Sequence, residues 1–368
     1  MINEFIKNLS NLAGWRTDRK IVVIESDDWG SIRMPSLKAK ETLQKQGVVL
    51  DKGDSARYNT FDTLASAEDL EALYNTLSKF KDTNGNHPVF TAVSLTSNPD
   101  FEKIKAANFE HYVHEPFTTT LKKYHRESAK KLWEQGIQNK LFVPQFHGRE
   151  HLNVASWMRA LQSKDKETML AFQQGCWGFN RTNTNFNFQA AFDLEQPNDW
   201  QLQEVIIFDG LHIFKELHGY NASFFVPPNG PFNAKLERKL WEQGIRFIST
   251  PKIHAEPQGN QKVKKKFFWL GKKNQFKQVY LTRNAFFEPT SQRTGFTIND
   301  CMTHLNNAFK WKKPAIISTH RVNYIGGNVL ENRIEGNRML AELLNNIIKT
   351  WPDVEFMTSH QLGELINQ

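Results

Sequence analysis

Eight short apolar runs recur along the chain, at residues 21–24, 88–95, 141–146, 205–208, 222–226, 245–249, 279–282 and 314–318, with helix-like segments between many of them. Alternation of this kind predicts an α/β fold. SAEDLEALYNTLSKF (66–80) opens with a Ser66-x-x-Asp69 cap signal, and KLERKLWEQGI (235–245) reads as a second helix. With 368 residues, of which 39% are hydrophobic and 12% aromatic, the chain can bury a large core. No internal repeat and no break in composition divides it, so one domain over 1–368 is expected, carrying insertions at about 98–130 and 152–204.

The first run ends in a pair of acids. In IVVIESDDWGSI (21–32), Asp27 and Asp28 follow the apolar stretch directly, and where a strand gives way to a loop both side chains can turn toward one cavity. Downstream, PQFHGREH supplies His147 and His151, four residues apart. If the 141–146 strand runs into a helix here, both imidazoles project from one helical face. Asp28 with the two histidines makes a 2-His-1-carboxylate set, which suits zinc with open positions or equally a ferrous ion. Such a cation lowers the pKa of water from about 15.7 toward about 7 and polarises an acyl oxygen. Asp27 is then left over as a base.

Three further segments follow in order. NASFFVPPNGPFN (221–233) is an apolar strand ending in a Pro-Pro-Asn-Gly turn, whose backbone N–H groups can face a site as oxyanion donors. PAIISTHRV (314–322) is a buried-type strand with His320 where the run ends, the place where α/β sheets present reactive groups. VEFMTSHQLGEL reads as a last strand, a Thr-Ser cap and a closing helix.

The ordered set SDDWG, HGREH, FVPPNG and STH, with the terminal FMTSHQL, resembles the metal-dependent polysaccharide deacetylases of the carbohydrate esterase type, from about residue 20 to the C-terminus. The resemblance implies a distorted (β/α) barrel of about seven strands with helical and loop insertions. It implies Asp27 as general base, Asp28, His147 and His151 as metal ligands, His320 as general acid, and the backbone near Asn229 as an oxyanion site. Zinc is the expected metal, with iron, cobalt, nickel or manganese as substitutes. The reaction implied is hydrolysis of an acetamido or acetyl ester group on a sugar. The chain departs from the pattern at several places: Val226 stands where the family has an arginine that orients the base, Asn229 stands where an aromatic is usual, and no Asp-Trp pair occurs near GIRFISTPK. Arg149, Arg321 and Arg33 are the cations considered as replacements for the arginine. Trp29, Asn98, Arg149, Trp177, Pro228 and Arg321 are the candidate substrate-binding residues.

The 152–204 insertion leaves the HxxxH site through a helical stretch and an Asn-rich, aromatic one, and could fold back as a lid with Trp177 and Phe179 offering faces to a sugar. His111 and His114, in the 98–130 insertion, read as structural or solvated. The net charge of +8 favours an anionic partner, such as a phosphate-bearing carbohydrate or an acidic membrane surface. Much of it lies in 262–284, where Lys264, Lys266, Trp269, Lys272 and Lys273 could meet phospholipid headgroups. No recognition module accompanies the basic run, which argues against nucleic acid. The N-terminal stretch lacks a signal-peptide core and two cysteines make no disulfide framework, so a cytoplasmic protein with reduced Cys176 and Cys301 is expected, acting on a nucleotide- or lipid-linked precursor of a surface polysaccharide. Two rivals remain: a non-haem iron oxygenase using the same three ligands, and a sugar-binding barrel without activity. No GxSxG elbow and no GxxxxGK[ST] loop is present.

Overall fold

The computed structural model describes residues 12–51, 55–182, 184, 186–291 and 293–368. The strands are β1 (Lys20–Trp29), β2 (Phe90–Leu95), β3 (Ser97–Pro99), β4 (His114–Pro116), β5 (Phe142–Gly148), β6 (Phe224–Phe225), β7 (Phe247–Ser249), β8 (Ile253–Gly259), β9 (Lys262–Phe267), β10 (Val279–Leu281), β11 (Ala285–Phe286), β12 (Ala315–His320) and β13 (Val354–Phe356). Nine of them form one sheet in the order β10-β7-β6-β5-β2-β1-β12-β11, with β13 also paired to β1. Every ladder in it is parallel. Two small antiparallel sheets, β3-β4 and β8-β9, stand apart from it.

Both faces of the sheet are buried, which explains why its strands read as continuous apolar runs rather than as alternating ones. In β1, Val22 and Ile24 face outward onto Leu340, Leu343 and Leu344 of the helix Leu330–Thr350. Ile21 and Val23 face inward and share a cluster with Phe224, Phe247, Leu281 and Ile316 from other strands. The terminal helix Ser359–Asn367, capped by Thr358 and Gln361, adds Leu362 and Ile366 to that inner cluster. This is a curled α/β barrel left incomplete between β10 and β11, which the segment 282–284 joins along the chain. Within that segment Asn284 is held to β12, its side-chain oxygen accepting from the Ile316 N–H at 2.8 Å.

The expected distorted (β/α) barrel is present, its main sheet counting nine strands. Two other expectations are corrected. The apolar run 205–208 lies inside the helix Trp200–His218, where nineteen residues of helical pattern override a short β-branched stretch. His147 and His151 do not share a helix: β5 continues through Gly148, whose φ of 137° only glycine adopts readily, and the next helix starts at Val154 behind the Asn153 cap. The expected helix at 66–80 is present as Ala67–Leu77 with the full Ser66/Asp69 capping box. Cys176 and Cys301 are buried free thiols. Among the described residues, no helix is long and apolar enough to cross a membrane.

Because the main ladders are parallel, the C-terminal ends of its strands fall on one rim, the side where such sheets carry their reactive groups.

Candidate active site and metal centre

A regular strand would send Asp27 and Asp28 to opposite faces. Here the β1-β2 pairing shifts register between Ser26 and Trp29, and Asp28 adopts a φ of 76°. This left-handed kink, strained for a residue other than glycine, lets both carboxylates line one cavity of about 570 Å³. His147 and His151 line it from the end of β5 and the bend after it. His320 enters from β12, whose register sets it directly beside Asp27.

The Asp28 Oδ1 atom lies 3.1 Å from His151 Nε2 and 3.5 Å from His147 Nε2. One ligand atom from each of the three residues falls within 4.8 Å of the others, and all three residues are buried. His147 Nδ1 donates to the Val226 carbonyl at 2.7 Å, which fixes the tautomer and turns the Nε2 lone pair inward. Asp28 Oδ2 accepts from Arg33 at 3.1 Å, whereas Asp28 Oδ1 is buried without a hydrogen-bond partner. A buried carboxylate oxygen left bare and aimed at two imidazole nitrogens is a donor set that fits a divalent cation. Burial opposes the charge on Asp28, yet Arg33 and the imidazoles outweigh it and hold this carboxyl well below the usual range. Burial pushes His151 down to about 4, so it is a neutral imidazole at physiological pH, the form a ligand requires. Trp177 stacks against the His151 ring at 6.1 Å, packing it in place.

Beside this set stand two oppositely tuned groups. Arg283, at the end of β10, grips Asp27 with two hydrogen bonds of 2.6 and 2.7 Å and bonds Glu25 with its third nitrogen at 2.6 Å. Burial works against the Asp27 charge, but the Arg283 guanidinium prevails and lowers its pKa, so Asp27 stays ionised. His320 Nδ1 faces Glu288 Oε1 at 2.5 Å, and its Nε2 lies 3.8 Å from Asp27 Oδ2. Burial alone would lower the His320 pKa; Glu288, Asp27 and Asp28 together raise it to about 9, which keeps the imidazolium at neutral pH. Glu288 is fixed in turn by Arg57 at 2.9 Å and Asn323 at 2.8 Å.

Arg283 and Glu288 are absent from the sequence reading. Of the cations considered for orienting Asp27, Arg33 bonds Asp28 instead, Arg149 pairs with Glu150 and Asp209, and Arg321 is fully buried against Asp62. The signal that could have found the missing pair is a charged residue just past a short apolar run: YLTRN for Arg283 and FFEP for Glu288.

Several candidate substrate-binding residues lie elsewhere. Trp29 is core, bonded to Ser26 and edge-on to Phe142. Asn98 braces the Gly30 and Ile32 backbone. Arg149, Trp177 and Arg321 are buried and held by protein partners, the indole of Trp177 donating to the Ile32 carbonyl. Phe179 is likewise buried, against Phe188. In the Pro-Pro-Asn-Gly turn, Asn229 is exposed with a φ of 57° and lines the cavity with Pro227 and Gly230, whereas Pro228 is buried behind it. From the 152–204 insertion it is Asn187 and Gln189 that reach the cavity, and Tyr58 flanks His320 with ring centres 6.0 Å apart. His114 pairs with Asp209 and His111 is exposed; neither lines the cavity.

No family model matches the chain, and no curated protein matches it. Among solved structures it is similar to a probable polysaccharide deacetylase from Pseudomonas aeruginosa, with 10% identity over 94% of this chain and 91% of that one and a TM-score of 0.44. It is also similar to a family 4 acetyl xylan esterase from Clostridium thermocellum in complex with cobalt, with 12% identity over 94% and 91% and a TM-score of 0.38. A third similarity, to a 4-alpha-glucanotransferase from Thermococcus litoralis, has 9% identity over 93% of this chain and 40% of that one, with a TM-score of 0.47.

Proposed function

We propose that this protein is a metal-dependent hydrolase that removes an acetyl group from an N- or O-acetylated sugar. The observation that carries the reading is a pair of groups tuned apart: an ionised Asp27 and a protonated His320, 3.8 Å from one another beside a buried Asp-His-His donor set. Two titratable groups whose surroundings push them in opposite directions are how a site assigns base and acid.

Asp28, His147 and His151 would hold the cation, which we take to be zinc, and it would supply Lewis-acid polarisation of the acyl oxygen and an acidified water. Asp27 takes the proton from the attacking water, with Arg283 keeping its carboxylate oriented and charged. His320 gives its Nε2 proton to the departing amine or alcohol, and Glu288 at Nδ1 compensates the imidazolium charge until then. The backbone N–H of Asn229 is the candidate donor to the oxygen on which charge develops, since Pro227 and Pro228 carry no N–H and that of Gly230 donates to the Pro227 carbonyl at 2.9 Å. Asn229 lines the cavity with a left-handed φ of 57°, which supports this.

The cavity and the charge favour a sugar that carries phosphate, a nucleotide- or lipid-linked precursor handled in the cytoplasm. Lys252 lines the cavity, and the chain is cationic overall. An iron oxygenase would leave the Asp27–Arg283 and His320–Glu288 pairs without a task. A silent sugar-binding barrel was suggested by the missing arginine at Val226, and Arg283 removes that reason. The test is acetate release from acetylated sugars and their nucleotide-linked forms by zinc-loaded protein. Wild type should release acetate and lose the activity to a chelator; Asp27→Asn releasing acetate at the wild-type rate would exclude Asp27 as the base.

A further inference from the structure

We propose that the outer face of the β8-β9 hairpin docks onto an anionic lipid surface. The hairpin is amphipathic across its two faces. Its inner face is committed: the Glu256 carboxylate accepts from Lys266 at 2.6 Å and from the Ala234 N–H at 2.9 Å, and the buried His254 bonds the Phe232 carbonyl. On its outer face, register sets Ile253 directly opposite Phe267 and Ala255 opposite Lys265, and the exposed Val263 stands opposite Pro257, which is itself buried. Ile253, Val263 and Phe267 are 64%, 58% and 62% exposed, although large aliphatic and aromatic side chains rarely stand this open together.

Lys265 stands in this strip, and Lys262 and Lys264 are exposed beside it on β9, Lys264 from the side that carries Glu256; β8 and β9 pair only with one another, which leaves the outer edge of β9 free. The outer-face residues include no acid. Lysines on a free edge discourage another strand from adding, but that role does not call for Ile253 and Phe267 on the face. Apolar side chains ringed by lysines match a leaflet of anionic lipid, where the rings and aliphatic chains enter the headgroup boundary and the ammonium groups meet phosphate. The surface differs from the one read off the sequence: Lys266 is tied to Glu256, Lys273 to Asn367 and Lys272 to the Phe267 carbonyl, which leaves Lys264 and Trp269 of the five residues named. A second exposed apolar strip, Leu202, Val205 and Phe208 on the helix Trp200–His218, has no such basic rim written into its own sequence.

The proposal stands apart from the deacetylase reading, because binding is measured without any acetylated substrate. The full chain is sedimented with phosphatidylcholine vesicles and with vesicles that also contain phosphatidylglycerol. It should pellet with the anionic vesicles only, and raising the salt should release it. Lys264→Ala with Lys265→Ala should weaken binding by about fivefold for each lysine removed. Ile253→Ser with Phe267→Ser should weaken it as well, with the lysines intact; unchanged thermal unfolding shows that both variants are folded. Equal indifference to both vesicle types overturns the proposal. So does capture of a DNA or RNA oligonucleotide more tightly than vesicles, abolished by the lysine pair and untouched by the Ile253/Phe267 pair.

Discussion

His320 and Asp27 hold opposite charges 3.8 Å apart, and each is kept in its state by a different partner. In metal-free protein the His320 imidazole should titrate near pH 9, and Glu288→Gln should move that titration down, as followed by NMR of the ring. The sign for stability follows from the same shift. A histidine raised from 6.5 to about 9 contributes stability that is fully present below about 6.5 and lost as pH climbs through about 9. Chemical unfolding of wild type and Glu288→Gln across that window should converge at the alkaline end. For catalysis, Asp27→Asn should lower kcat by roughly 100-fold to 10,000-fold with zinc content unchanged, since it removes a proton acceptor and not a ligand. Arg283→Met should raise the Asp27 pKa and move the acid limb of the kcat/KM profile upward, which a purely structural role for Arg283 would not do.

At the scale of elements, the site depends on how closely a helix approaches a loop. The helix Leu330–Thr350 carries Gly336 against the Asn323 backbone, where an added Cβ would stand only 1.7 Å from the Asn323 carbonyl oxygen. Asn323 is the residue that bonds Glu288, so this helical glycine is linked to His320 through Asn323 and Glu288. Gly336→Ala should therefore destabilise the protein by about 1–3 kcal/mol or more, despite the better helix propensity of alanine, and should lower the His320 pKa as well. Thermal unfolding and the ring titration measure the two effects separately. Elements also divide what could be read in advance from what could not. Asp27, Asp28 and His320 were legible because they lie at the C-terminal ends of long, largely buried strands. Arg283 and Glu288 were not, because β10 and β11 span only three and two residues, and a single charge just past so short a run stands out far less than the Asp27–Asp28 pair. The HxxxH pair was found with the wrong backbone beneath it, since the chain returns through the Gly148 kink rather than through a helical turn. Trp177 was singled out as a sugar platform from its loop composition; its indole is packed behind His151 because the insertion shares a core there with Met34, Leu43 and Leu50.

For the whole molecule, the parallel order of the main sheet gathers onto one rim residues that lie up to 293 positions apart, from Asp27 to His320. A cation bound there ties the ends of β1 and β5 together, so its affinity adds to folding stability, by about 2.7 kcal/mol at a free concentration one hundred times Kd. The direct measurement is X-ray absorption of protein loaded with zinc, with the metal counted per chain in wild type and in His151→Ala. One zinc per chain, held by two nitrogen ligands at about 2.0–2.1 Å together with oxygen, and lost in His151→Ala, is the predicted result. Zinc bound with no histidine nitrogen, or retained at full stoichiometry after His151→Ala, would contradict a metal centre built from Asp28, His147 and His151.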